Sequence, residues 1–237
     1  MSDSKFVVED IVSQAKTKTE SKYRNPSKLA PQHPFRMTIV GESGSGKSNL
    51  VANMILKNML SFDKVIIVAH NPDQEIYDLL KEKFEAIAEE KEKPLHDFLK
   101  IISNIKDFPV VEKFSGKYQI LIVWDDWVME TPAHRLIADF YVRSRHKNIS
   151  NIYLAQTFYD VPKVIRGNSN YFILFKGLNK RSLDMLYRDL GFGIDKDLFI
   201  DIYEEATRER YSWLLIDKVT EKRAMRFRQG FNKLLGV

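Results

Sequence analysis

The chain has no cysteine in its 237 residues, which excludes disulfides, thiolate zinc sites and a cysteine nucleophile. It also lacks any apolar run long enough to span a membrane. The longest such stretches, Val65 to Ala69 and Ile120 to Trp124, have the length of buried strands. The N-terminus carries no apolar signal-peptide core, so no secretion signal is expected. No internal repeat and no low-complexity tract is present, and His146 has no second histidine at metal-ligand spacing. What remains is 44% hydrophobic, enough for one sizeable α/β core, with a formal charge of +5. That charge is compatible with a polyanionic partner and equally with an ordinary basic surface.

One octapeptide carries more information than the rest. Gly41-Glu42-Ser43-Gly44-Ser45-Gly46-Lys47-Ser48 matches G-x-x-x-x-G-K-[ST], the Walker A phosphate loop. Met37 to Val40 before it reads as an apolar strand. From Asn49 onward, Leu50, Val51, Met54, Ile55 and Met59 recur at a helical period. Gly44 and Gly46 permit the torsions that wrap amides around phosphates, at a helix N-terminus that favours anions. Lys47 is expected on the β- and γ-phosphates and Ser48 on a bridging Mg2+, with a nucleoside triphosphate as the ligand.

The rest of the chain alternates strands and helices, the pattern of a mostly parallel central sheet flanked by helices. Strands are predicted at 36–40, 64–69, 118–124, 150–155, 170–175 and 211–216, and helices at 47–60, 74–90, 94–103, 132–143, 179–190 and 195–206. Residues 1–34 are polar and end in Pro26, Pro31 and Pro34, an accessory arm ahead of a domain over 35–237. Near the C-terminus, Tyr211 to Asp217 and Arg223 to Phe231 read as a β-hairpin rich in basic residues.

Tyr118 to Trp124 is an apolar strand that ends in Asp125 and Asp126. Two adjacent acids at the end of a buried strand call for a cation at the sheet edge. Asp125 is therefore expected on the metal as the Walker B acid, with Asp126 placed to polarise water or to cap the next helix. Asn151 to Ala155 forms another strand, ending in Gln156, which is either a water-orienting group or a loop residue. Ahead of that strand, Arg143-Ser144-Arg145-His146-Lys147-Asn148 is densely cationic, either an arginine finger for an adjacent subunit or a basic surface turn.

With these motifs in place, the chain resembles the genome-packaging ATPases of large DNA viruses and virophages, the poxvirus type of the FtsK–HerA superfamily. The resemblance covers about residues 36–228 and rests most on Ile120 to Phe175, including Arg145 to Thr157 and Val161 to Asn170. It implies the additional-strand (RecA/FtsK–HerA-like) P-loop NTPase fold, with Gly41 to Asn49 around the nucleotide, Lys47 and Asp126 catalytic, and Ser48 and Asp125 at the metal. It implies Gln156 as sensor and Arg145 as the finger in trans, with Arg143 and Arg166 as alternatives. A homo-oligomeric ring driving double-stranded DNA into a preformed capsid follows from the same resemblance. Capsid vertex proteins would be partners, in the cytoplasmic virus factory of an infected cell or in the virion.

Where DNA would touch stays open from the residues. Arg223, Arg226 and Arg228 lie in the predicted second strand, and alternation would set Arg226 and Arg228 on one face. That face suits phosphates, or guards an edge strand against pairing. Competing readings are a nucleotide or nucleoside kinase and a nucleotide-gated assembly scaffold. Asn179-Lys180-Arg181-Ser182 lacks the aspartate of a guanine-reading motif, which disfavours a GTP switch.

Overall fold

The computed structural model describes residues 29–57, 59–127 and 131–236. Most of the arm expected over 1–34 therefore lies outside the described residues. The nine described strands are β1 (Arg36–Val40), β2 (Lys64–Ala69), β3 (Leu99–Ile102), β4 (Ile120–Asp125), β5 (Ile149–Ala155), β6 (Tyr171–Phe175), β7 (Trp213–Asp217), β8 (Phe227–Gln229) and β9 (Lys233–Leu234). They form one sheet in the order β3-β2-β4-β5-β1-β6-β7-β8-β9. Strands β3 to β6 in that order are parallel, and β7, β8 and β9 add antiparallel to the β6 edge.

Six α-helices are described: α1 (Lys47–Leu56), α2 (Glu75–Glu90), α3 (Thr131–Arg143), α4 (Lys163–Asn168), α5 (Lys180–Leu190) and α6 (Lys196–Ala206). They cover both faces of the sheet, which is why the central strands are largely apolar instead of alternating with exposed polar residues. In β4, Ile120, Ile122 and Trp124 belong to the core that also takes residues of α3, α5 and α6, whereas Leu121 and Val123 belong to the core that takes residues of α1 and α2. Strand β5 divides the same way, Tyr153 to one core and Ile152 and Leu154 to the other. A slip of one residue would exchange the two sets, so the register is strongly specified.

Buried polar side chains tie the central strands to their surroundings. Asn151 Oδ1 accepts from Trp124 Nε1 at 3.0 Å while its Nδ2 donates to Ser144 Oγ at 2.7 Å. Tyr141 on α3 donates to the Met37 carbonyl of β1 at 2.6 Å. Each of these groups thus keeps a partner that water would otherwise supply.

Two predicted elements differ. The helix expected over 94–103 is a single 3-10 turn, Leu95–Asp97, followed by β3. Leu95, Phe98, Leu99 and Ile102 do fall at helical spacing, but the open edge of β2 offers a full parallel ladder to Leu99–Ile102. Tertiary pairing overrides the local period there. The predicted strand from Arg223 is instead a 3-10 turn, Arg223–Met225, and only Phe227–Gln229 pairs with β7. Helix α4 was not among the expected elements.

The chain ahead of β1 is fastened to the start of β5. His33 Nε2 lies 3.1 Å from Asn148 Oδ1, its Nδ1 lies 2.6 Å from Ser150 Oγ, and the Phe35 amide donates to that same Oγ at 3.0 Å. A neutral ring donates to Asn148 and accepts from Ser150. Burial lowers the His33 pKa from the ordinary 6.5 to about 4. Between those values the unfolded chain is protonated and the folded protein is not. Stability linked to His33 is therefore full above 6.5 and is lost as pH falls toward 4, by at most about 3 kcal/mol. Urea midpoints should show wild type losing stability relative to His33→Gln on acidification through this window. Parallel pH profiles for the two proteins would contradict this linkage.

Candidate nucleotide site

The parallel register brings three strand ends to one edge. Val40, the last residue of β1, pairs with Ala155 of β5, and Asp125, the last of β4, pairs with Leu154. Strand β5 thus lies between the strand that leads into the glycine-rich loop and the strand that carries the paired acids. Gly41, Asp126 and Gln156 follow directly from these three flush ends.

The loop itself has the torsions its sequence implies, with φ of 75° at Gly44 and 103° at Gly46. Gly46 is the N-cap of α1, no side chain caps that end, and no acid lies in its first turn. The first amides of α1 therefore lack helical acceptors, and no carboxylate of the helix's own first turn offsets the positive end of its dipole. Ser45 Oγ is buried without a hydrogen-bond partner. Lys47 Nζ donates to the carbonyls of Gly41 at 2.6 Å and Glu42 at 2.9 Å. Burial lowers the Lys47 pKa, while Asp125 and Asp126 oppose the shift. A partly buried ammonium with distant counter-charges is a cation suited to an anionic ligand.

Across the loop, Asp125 is buried and Asp126 is exposed on a left-handed backbone with φ of 60°. Tyr77 of α2 donates a short hydrogen bond to Asp125 Oδ2, and Gln74 Nε2 lies 3.5 Å from the same oxygen. Burial raises the Asp125 pKa; the Tyr77 bond opposes that, the Asp126 charge adds to it and Lys47 opposes it. Ser48 also lies close to the Tyr77 hydroxyl. Ser48 and Asp125 are therefore neighbours beside the same tyrosine. A hydroxyl and one carboxylate, completed by waters and phosphate oxygens, match the donors Mg2+ takes. Among the described residues no group of three or more His, Cys, Asp or Glu could hold a metal.

A cavity of about 1110 Å3 joins Lys47, Ser48, Asp125, Asp126 and Gln156. Gln74 and Tyr77 also belong to this neighbourhood, although no motif in the sequence marks them. They reach Asp125 because β2 pairs with β4, so that Ala69 lies beside Asp125 and the following segment starts at the same edge.

The basic residues separate into distinct settings. Arg143 pairs with Asp139 and Glu112, and Arg166 pairs with Asp189 at 3.1 Å and lies 5.1 Å from the Phe158 ring centroid. Arg145 is exposed and has no ion-pair partner among the described residues. It precedes β5, at the opposite sheet edge from Gln156. The expectation of a shared arginine face at 226 and 228 is corrected. Arg226 has helical torsions (φ −71°, ψ −39°), and its guanidinium stands 4.2 Å from the Phe192 ring centroid. Arg228 is buried, donating to Asp217 Oδ2 at 3.0 Å and to the carbonyls of Leu29 and Phe231, each at 3.1 Å. Its charge is spent inside the protein, which removes it as a phosphate contact. Arg223 is exposed.

This sheet order and this site define an α/β P-loop protein of the additional-strand type, with β5 as the added strand. A family model described as Poxvirus A32 protein matches residues 20–227, and the chain belongs to that family. The DNA packaging protein OPG160 of Variola virus is 26% identical over 145 residues, 60% of this chain and 53% of that protein. The chain spans about half the length of the curated relatives it matches. B204, the DNA-packaging ATPase from Sulfolobus turreted icosahedral virus, superposes with a TM-score of 0.57 at 17% identity, over 83% of this chain and 97% of that one. The genome packaging NTPase B204 from Sulfolobus turreted icosahedral virus 2, in complex with ATP-gammaS, gives 0.55 at 18% identity, over 83% and 96%. At such identities the two structures establish a shared fold.

Removing the Tyr77 hydroxyl would leave the buried Asp125 carboxylate without its closest donor. Tyr77→Phe should lower stability by about 1–3 kcal/mol in nucleotide-free buffer, read from urea unfolding. An unchanged midpoint would mean that this bond contributes nothing to the folded state.

Proposed function

We propose that this chain is an ATPase motor that moves double-stranded viral DNA into a preformed capsid. The observation that carries the reading is the flush arrangement of Lys47, Asp125, Asp126 and Gln156 around one cavity, with β5 between the two nucleotide-binding strands. Membership of the A32 family and the naming of OPG160 as a DNA packaging protein support the cargo.

In this reading the amides of Gly44 to Asn49 hold the phosphates, and Lys47 exchanges the Gly41 and Glu42 carbonyls for β- and γ-phosphate oxygens. Ser48 and Asp125 hold Mg2+, which supplies charge neutralisation between the phosphates. Asp126, exposed beside the buried Asp125, takes the proton of the attacking water, and Gln156 orients that water. Arg145 is separated from its own Gln156 by the whole of β5, seven residues or about 20 Å. It can act only on another subunit, which fits a homo-oligomeric ring with sites between protomers. Arg143 and Arg166 are already engaged by carboxylates. Double-stranded DNA and capsid vertex proteins are the partners in this reading, within an infected cell or the virion.

ATP hydrolysis by the purified protein should rise with long double-stranded DNA, and the rise should fade with salt as phosphate contacts are screened. Lys47→Ala should reduce turnover about a hundredfold or more. Unchanged turnover in that variant would refute the site. Turnover indifferent to DNA but raised by a nucleoside acceptor would favour a kinase.

Arg145→Ala should abolish turnover while ATP affinity holds. Mixing it with Asp126→Asn protein should restore part of the activity at hybrid interfaces. No recovery at any mixing ratio would exclude Arg145 as a finger in trans.

A further inference from the structure

The cavity that contains the phosphate loop does not end at the phosphates. It continues past Gly46 to Tyr211, Trp213 and Phe231, residues of the antiparallel C-terminal part of the sheet. Strand β7 runs antiparallel to β6, with Trp213 opposite Phe175, so its first residue returns to the edge where the phosphate loop lies. The predicted strand from Tyr211 begins only at Trp213 because Tyr211 has φ of 63°.

A bulky side chain in the left-handed region is uncommon and costly, and it persists where its surroundings hold it. Yet Tyr211 is not held there by burial, since 53% of the residue is exposed. Its ring approaches the phosphate loop so closely that a Cβ on Gly46 would stand 3.3 Å from Tyr211 Cδ1. Arg210 lies over the same ring at 4.7 Å from its centroid. Behind it, Trp213 packs against Phe175 and Phe231 with centroids 5.9 and 5.8 Å apart. The Trp213 indole Nε1 is buried and has no hydrogen-bond partner. An exposed aromatic face, fixed by a strained backbone beside an anion cradle, suits a flat heterocycle tethered to phosphates. A second polyanion would call for cations along this wall, and its body is aromatic.

We propose that Tyr211, backed by Trp213 and Phe231, is the nucleobase subsite, where the base of a bound nucleoside triphosphate stacks. The assignment rests on the reading of Gly41–Ser48 as the triphosphate site. It gives the C-terminal antiparallel strands a part in nucleotide binding. Stacking accepts any base with a π face, so this wall by itself discriminates little between purines.

The test is to titrate wild type, Tyr211→Ala, Tyr211→Leu and Tyr211→Phe with ATP and, separately, with inorganic tripolyphosphate. Tyr211→Ala and Tyr211→Leu should bind ATP about tenfold more weakly and keep tripolyphosphate affinity within about twofold of wild type. Tyr211→Phe should match wild type for both. Equal weakening of both ligands would mean that Tyr211 acts through the Gly46 loop, and no weakening of either would put the base elsewhere; each overturns the subsite. If Tyr211→Ala does not fold, Tyr211→Leu supplies the same comparison with bulk retained. Wild type that binds neither ligand would refute the triphosphate reading itself, and the subsite with it.

Discussion

The structure depends on the parallel register that makes β1, β4 and β5 end level. The ladder pairs Val40 with Ala155 and Asp125 with Leu154. Because each central strand is buried on both faces, a one-residue slip would carry its side chains into the wrong core. The same constraint that secures packing therefore aligns Gly41, Asp125 and Gln156. Stability and site geometry share one cause in the middle of this sheet.

At that edge the charged groups make few direct pairings with one another. Lys47 rests on backbone carbonyls, and the Asp125 carboxylate accepts from a tyrosine hydroxyl that also meets Ser48. Burial pushes both charged groups toward their neutral forms. Phosphates on the lysine side and a cation on the Asp125 side would each offset that penalty. The Tyr77 bond meets part of Asp125's demand within the protein alone.

The sheet also sets the basic residues in different surroundings. Arg228 secures the C-terminal strands to Leu29 and Asp217 from inside the protein. Arg166 joins α4 to Asp189 on α5. Arg145 is left exposed at the sheet edge remote from its own Gln156. These arginines are chemically alike in the sequence and differ by what the fold sets beside them.

Chain-local features were legible in the sequence. The octapeptide from Gly41 to Ser48 carries its own torsional and helix-terminus physics, and the apolar strands ending in Asp125–Asp126 and Gln156 announce buried parallel elements by their run length. The central strands and four of the long helices lie within a few residues of their predicted positions, because each has one period over its whole length. Pairing between distant segments left no such mark. Residues 95–102 satisfy a helical period, but Leu99–Ile102 becomes a strand because β2 exposes an edge, and Arg228 looks like a surface cation until Asp217 is set opposite it. The reach of Tyr77 to Asp125, and of Tyr211 to the phosphate loop, likewise depends on strand order. By itself the sequence determined the phosphate loop and the paired acids, since their chemistry is complete within a few consecutive residues. Only the tertiary structure decided which tyrosines lie beside them, because those contacts join segments far apart in the chain.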